Sequence, residues 1–113
     1  MFFIGVDLGT SAVKLLLVDE QGRIVRSVTK EYPISFPHPG WSEQNPADWW
    51  KAVQHGILEL TEHIDKWEVR GIGCGGQMHG LVVLDEQDRV IRPAILWNDG
   101  RTAEETEIGR AHV

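Results

Sequence analysis

The chain has 113 residues, 42% hydrophobic and 25% charged, and its 17 acidic against 11 basic side chains leave a net charge of −6. That length supports one small domain with one core. An acidic balance without any basic cluster excludes a nucleic-acid or acidic-membrane footprint, since phosphate backbones are held by grouped Lys and Arg, and no stretch approaches the roughly 20 apolar residues that span a bilayer.

The first residues lack a basic segment, and their apolar run is cut by Gly5 and Asp7, so no secretory signal is expected. Residues 2 to 8 and 12 to 18 read as two interior strands around Gly9-Thr10-Ser11, being almost continuously apolar. A turn at Asp19-Glu20-Gln21-Gly22 leads into a third strand from Arg23 to Lys30, giving an antiparallel meander. The phrase "LLLVDEQGRIV" at 15 to 25 is echoed by "LVVLDEQDRVI" at 81 to 91, which reads as one hairpin solution used twice. Residues 31 to 44, "EYPISFPHPGWSEQ", carry three prolines and are expected to cross the surface as an extended loop.

A helix then begins with Asn45 as N-cap, Pro46 in the first helical position and Asp48 in the first turn. Trp49, Val53, Ile57, Leu60 and Ile64 form its apolar stripe, which Trp50 would widen; both tryptophans are expected in the core against a sheet. Val69 to Gly73 reads as a strand reached by a strand-helix-strand crossover, and "GCGGQMHG" at 73 to 80 as a glycine-rich loop at its end. The single cysteine within it, Cys74, excludes an internal disulfide and a cysteine-based zinc cluster, so a reducing, cytoplasmic setting is expected. Leu81 to Leu84 and Val90 to Leu96 supply the last strands, and "NDGRTAEETEIGRAHV" begins like a helix and then stops, as in an interrupted domain. The mixture predicts an α/β fold with a mixed sheet.

Three stretches can carry chemistry. Asp7 lies where an unpaired carboxylate is costly, followed by a turn of small residues whose amides can form an anion-binding concavity. Thr10 and Ser11 add hydroxyls and Lys14 a cation. A carboxylate aimed at phosphate needs an intervening cation, and Mg²⁺ commonly meets that need; the alternative is an Asx-type turn stabilised by Asp7. The P-loop and dinucleotide fingerprints are absent. Gln77 and His79 offer polar groups and Met78 an apolar wall, a mixture suited to a sugar or polyol, while His79 reads equally as a structural histidine. In "WNDGRTAEE", Asp99 and Arg101 stand at the carboxyl end of an apolar strand, where α/β sheets bind ligands; Asp99 or Thr102 capping the following helix is the other reading.

"GVDLGTSAVKLLLVDEQG", "PHPGWSEQNPADWW", "GCGGQMHG" and "RPAILWNDGRT", in this order, closely resemble the beginning of the FGGY family of carbohydrate kinases. The likeness runs from Ile4 to about Arg101 and is greatest to the xylulose-phosphorylating branch. Met78 and His79 stand where glycerol-phosphorylating relatives carry an Arg-Glu pair. The resemblance implies a ribonuclease-H-like, actin-like ATPase fold. Residues 1–113 would be the amino-terminal part of the first of two domains, the second being absent. It implies ATP and Mg²⁺ as cofactors and, in the intact protein, phosphorylation of D-xylulose to D-xylulose 5-phosphate. Asp7 then resembles the catalytic, metal-facing aspartate, and Gly9, Thr10, Ser11 and Lys14 the phosphate hairpin. Gln77, Met78, His79, Asp99 and Arg101 would meet the sugar. The family's proton-accepting aspartate has no counterpart here, so this stretch alone is expected to be inactive. Another sugar or polyol kinase, or an actin-like ATPase switch acting on a protein partner, remains the alternative. The ketose identity and any homodimer of the intact protein are not legible.

Overall fold

The computed structural model describes residues 1–111, which divide into two compact units. One comprises Met1–Pro33 with Ala47–Gln77, the other Ile34–Pro46 with the residues from Met78 onward. In chain order the strands are β1 (Phe2–Leu8), β2 (Ala12–Asp19), β3 (Ile24–Glu31), β4 (Glu43–Gln44), β5 (Val69–Gly76) and β6 (Ala94–Ile95). The helices are α1 (Pro46–Leu60) and α2 (Ala103–Ala111), and a short 3₁₀ turn covers Lys66–Glu68. Among the described residues no helix is long and apolar enough to cross a membrane.

The first unit is a four-stranded sheet in the order β3-β2-β1-β5. β1, β2 and β3 form the antiparallel meander that their apolar runs and short turns predict. Gly22 supplies the positive φ of the second turn at +80°. β5 lies parallel to β1, so the chain crosses over through α1, as a parallel neighbour requires. Alternation puts Ile4, Val6, Val13, Leu15, Leu17 and Val28 into one core with Ala52 and Leu60 of α1. Trp49, Val53, Ile57 and Ile64 pack against it, as the helical stripe predicts. Trp50 does not: it is 63% exposed, because the buried face runs through Ala52, Gly56 and Leu60 and leaves position 50 off its edge.

Gly56 marks how closely α1 approaches β2. A Cβ there would lie 2.5 Å from Cδ1 of Leu15, a side chain with no exposed surface. Gly56→Val is therefore expected to destabilise the fold by about 1–3 kcal/mol through overpacking. A chemical denaturation midpoint equal to wild type would contradict this packing.

The glycine-rich stretch differs from expectation. Gly73–Gly76 belong to β5, because the ladder with β1 continues through Leu8↔Gly76, and only the residues after Gly76 leave the strand.

Of residues 31 to 44, expected as one extended loop, Glu31 closes β3 in the first unit and those from Ile34 onward belong to the second. Glu43 and Gln44 form β4, antiparallel to β6, and Ser42, Glu43 and Gln44 are all buried. The expected strands at 81 to 84 and 90 to 96 shrink to β6 and the isolated bridges Leu81↔Ile95 and Leu84↔Val90. Pro93 lacks the amide that a longer ladder would need. The echoed hairpin is confirmed as one local solution. Asp19 Oδ1 accepts the amides of Gln21 and Arg23, and Asp85 Oδ1 those of Gln87 and Arg89, at 2.9–3.0 Å in each case. Asp88 takes, at φ +62°, the left-handed position that Gly22 fills in the first copy.

Candidate functional site

The face of the sheet opposite the core carries the candidate phosphate site. Gly5 and Asp7 of β1 register with Leu16 and Lys14 of β2 and with Gly73 and Gly75 of β5. Three of these six positions are glycine, so Asp7 and Lys14 stand beside nearly bare backbone. The result is an open hollow of about 510 Å³ lined by those residues together with Val6 and Cys74. A Cβ on Gly73 or Gly75 would meet nothing within 4 Å and would project into open space.

Asp7 is exposed, and among the described residues its carboxylate accepts no hydrogen bond and joins no ion pair, Lys14 included. It does not cap the turn that follows, so the Asx-turn alternative is not what the structure shows. No group of three or more metal-ligating side chains exists among the described residues. A single exposed carboxylate nevertheless fits Mg²⁺, which takes one or two carboxylates and draws its remaining ligands from phosphates and water. Glycine-bare backbone beside Asp7 leaves the room such a hydrated ion requires.

The small-residue hairpin lies at the carboxyl end of β1. The Gly9 amide donates to the Ala12 carbonyl at 2.9 Å, and a Cβ on Gly9 would lie 2.9 Å from that same oxygen. Glycine is thus required by the closeness of the two chains. Gln77 follows β5 at the same end of the sheet, its amide donating to the Leu8 carbonyl at 2.8 Å. Asp7, Gly9, Thr10, Ser11, Lys14 and Gln77 all belong to this first unit, around the ends of β1 and β5. That is where sheets of this class take ligands.

Tyr32, expected from the sequence to lie in the extended loop, also reaches this hairpin. Its hydroxyl donates to the Gly9 carbonyl and its amide to the Ser11 carbonyl, the latter at 3.2 Å. Burial, reinforced by the charge of Asp7, pushes the phenol up to about 12, so the hydroxyl stays a donor at neutral pH.

The remaining candidates belong to the second unit. Met78 and His79 are exposed, and His79 holds a positive φ of 63°, uncommon for a residue with a side chain. Asp99 and Arg101 are brought together, but their charged groups serve each other. Asp99 accepts the Arg101 Nε at 2.9 Å, its Nη2 at 2.7 Å and the Ser42 amide at 2.6 Å. Arg101 Nη2 also reaches Glu43 Oε2 at 2.7 Å, and the same oxygen takes Arg92 Nη2 at 2.6 Å. The guanidinium lies 3.8 Å from the centre of the Trp41 ring. Arg101 holds the Asp99 carboxyl well below the usual carboxylate range, helped by the Ser42 amide. Asp99 therefore braces its own loop and does not cap α2. Glu43, Arg92 and Trp41 complete the brace, and no spacing in the sequence announces them.

The backbone of Cys74 lines the hollow, but its register with Val6 puts the exposed thiol on the opposite face of the sheet.

A family model described as the N-terminal domain of the FGGY family of carbohydrate kinases matches residues 2–112. The xylulose kinase of Escherichia coli K12 is 49% identical over 111 residues, which is 98% of this chain and 23% of that protein. The glycerol kinase of Aquifex aeolicus is 35% identical over 100 residues, covering 88% of this chain and 20% of that protein. Among solved structures, a xyloylose kinase from Brucella ovis superposes with a TM-score of 0.88 at 47% identity, covering 98% of this chain and 24% of that one. The chain thus spans about a quarter of the length of these relatives.

Proposed function

The chain belongs to the FGGY family of carbohydrate kinases, and on that premise we propose that it forms the metal- and phosphate-facing part of an ATP-dependent D-xylulose kinase. The observation that carries this reading is the exposed, unpartnered Asp7 carboxylate on a glycine-bare face beside the Gly9–Ser11 hairpin. The substrate follows from the relatives. Identity to a xylulose kinase exceeds that to a glycerol kinase, and Met78 and His79 offer an apolar wall and a hydrogen-bonding ring instead of a charged pair.

In this reading Asp7 holds Mg²⁺ through its carboxylate or an intervening water, and the ion, when bound, neutralises charge on the transferring phosphoryl group. The hairpin amides and the Thr10 and Ser11 hydroxyls orient the phosphates, and Lys14 adds positive charge across the strand pair. Gln77, Met78 and His79 face the sugar. Asp99 and Arg101 shape the loop after β6 without spending their own charges on substrate. This reading assigns no residue of 1–113 the task of taking the proton from the sugar hydroxyl.

The test is a panel of pentuloses and polyols offered with MgATP to the intact protein. D-xylulose-dependent ADP release with formation of the 5-phosphate is expected. ADP release that depends on glycerol instead would correct the substrate. Hydrolysis stimulated by a protein partner, with no sugar phosphate formed, would favour an actin-like ATPase switch and overturn the kinase reading.

A further inference from the structure

The Gly9–Ser11 hairpin is built from small residues, and the way its peptide groups face is set by what they contact. That matters for an anion site. A turn binds phosphate only while its N–H groups face the ligand, and rotating a single peptide plane would bring a carbonyl oxygen toward the anion instead. Glycine offers little resistance to such a rotation.

Tyr32 supplies two such contacts. The pairing Ala12↔Glu31 between β2 and β3 places the next residue, Tyr32, opposite Ser11, where its amide donates to the Ser11 carbonyl at 3.2 Å. From the same position its hydroxyl reaches across and donates to the Gly9 carbonyl. The ring is only 7% exposed and packs within the core cluster, so this donor cannot swing away. In a planar trans peptide the C=O and N–H bonds point in opposite directions. Holding the Gly9 oxygen on the Tyr32 side therefore turns the amide of Thr10 to the other side. Packing alone would be served equally by phenylalanine. The hydroxyl is what connects the core to the hairpin.

We propose that Tyr32 is a positioning residue for nucleotide phosphates, its hydroxyl locking the Gly9–Thr10 peptide so that the Thr10 amide is presented to the anion. The inference rests on the reading of the hairpin as the phosphate site. It concerns orientation only, since Tyr32 touches neither substrate nor metal.

The test is Tyr32→Phe in the intact protein, with KM for ATP and for D-xylulose, kcat, and equilibrium binding of MgADP all measured against wild type. The expected result is a rise of about tenfold in both the ATP KM and the MgADP Kd, the loss of one oriented donor to a charged group. KM for D-xylulose should stay within about twofold, since no sugar contact is touched. Because KM does not depend on how much of the enzyme is folded, partial unfolding of the variant would lower kcat without imitating this split. A variant that melts earlier yet keeps both KM values and the MgADP Kd would show that the hydroxyl merely satisfies a buried carbonyl, and would overturn the proposal. Equal rises in both KM values would overturn it too. A wild-type protein that bound no MgADP would defeat the phosphate-site reading itself, whereas normal wild-type binding with an unaffected variant would defeat only the role of Tyr32.

Discussion

Asp7→Asn in the intact protein is expected to lower kcat by at least about a hundredfold, the scale on which a single preorganised electrostatic contact to the transition state acts. The substitution is nearly isosteric and costs the fold little, because the Asp7 carboxylate is exposed and engages no hydrogen bond or ion pair among the described residues. What it removes is the negative charge that would hold a divalent ion against the phosphates. KM for the sugar should therefore change far less than kcat, since ground-state sugar binding does not pass through this carboxylate. Steady-state kinetics with the sugar and ATP varied separately decide the matter. Equal losses in sugar affinity and turnover would argue that Asp7 shapes the site generally and does not act on transferring charge.

Asp99→Ala is expected to act on stability instead. The Asp99 side chain is 2% exposed, and that of Arg101 beside it 12%. Removing the carboxylate strands the Ser42 amide and leaves Arg101 with Glu43 as its remaining carboxylate partner. Losing hydrogen bonds to a charged group typically costs about 1.5–3 kcal/mol. The pH dependence has a definite sign. The folded state holds Asp99 ionised below its ordinary value of 3.8, so its stabilising contribution is present above that value and is lost as the pH falls beneath it. Wild type should thus lose melting temperature on acidification below pH 3.8 more steeply than Asp99→Ala does. Parallel melting curves across that window would mean that the brace contributes little.

These two aspartates also show what the chain's letters reveal. Asp7 was legible because a charge inside an apolar strand demands a reason, and the neighbouring small residues suggested one. The meander and α1 were legible for a related cause, as burial imposes periods of two and 3.6 that survive in sequence. Asp99 was ambiguous. Whether a carboxylate at a strand end meets a ligand or an arginine two residues away depends on side-chain direction, which spacing does not encode. Glu43 and Arg92 were invisible, since a two-residue strand has no period and their meeting spans 49 residues of chain. Tyr32 depended on register. A shift between Leu17 and Val18 moves the pairing of β2 with β3 by one residue, and only with that shift does Tyr32 fall opposite Ser11. The glycines of β5 misled because glycine is read as loop, whereas here the ladder to β1 keeps the strand and the missing side chains make the hollow.

Whether Asp7 faces the metal of a nucleotide cradled by the Gly9–Ser11 hairpin can be seen by anomalous diffraction from crystals of the intact protein grown with Mn²⁺ and ADP. A manganese peak within direct or one-water reach of the Asp7 carboxylate, with the phosphates against the hairpin amides, is the predicted result. A manganese–ADP complex bound elsewhere, with Asp7 surrounded by solvent alone, would contradict the account.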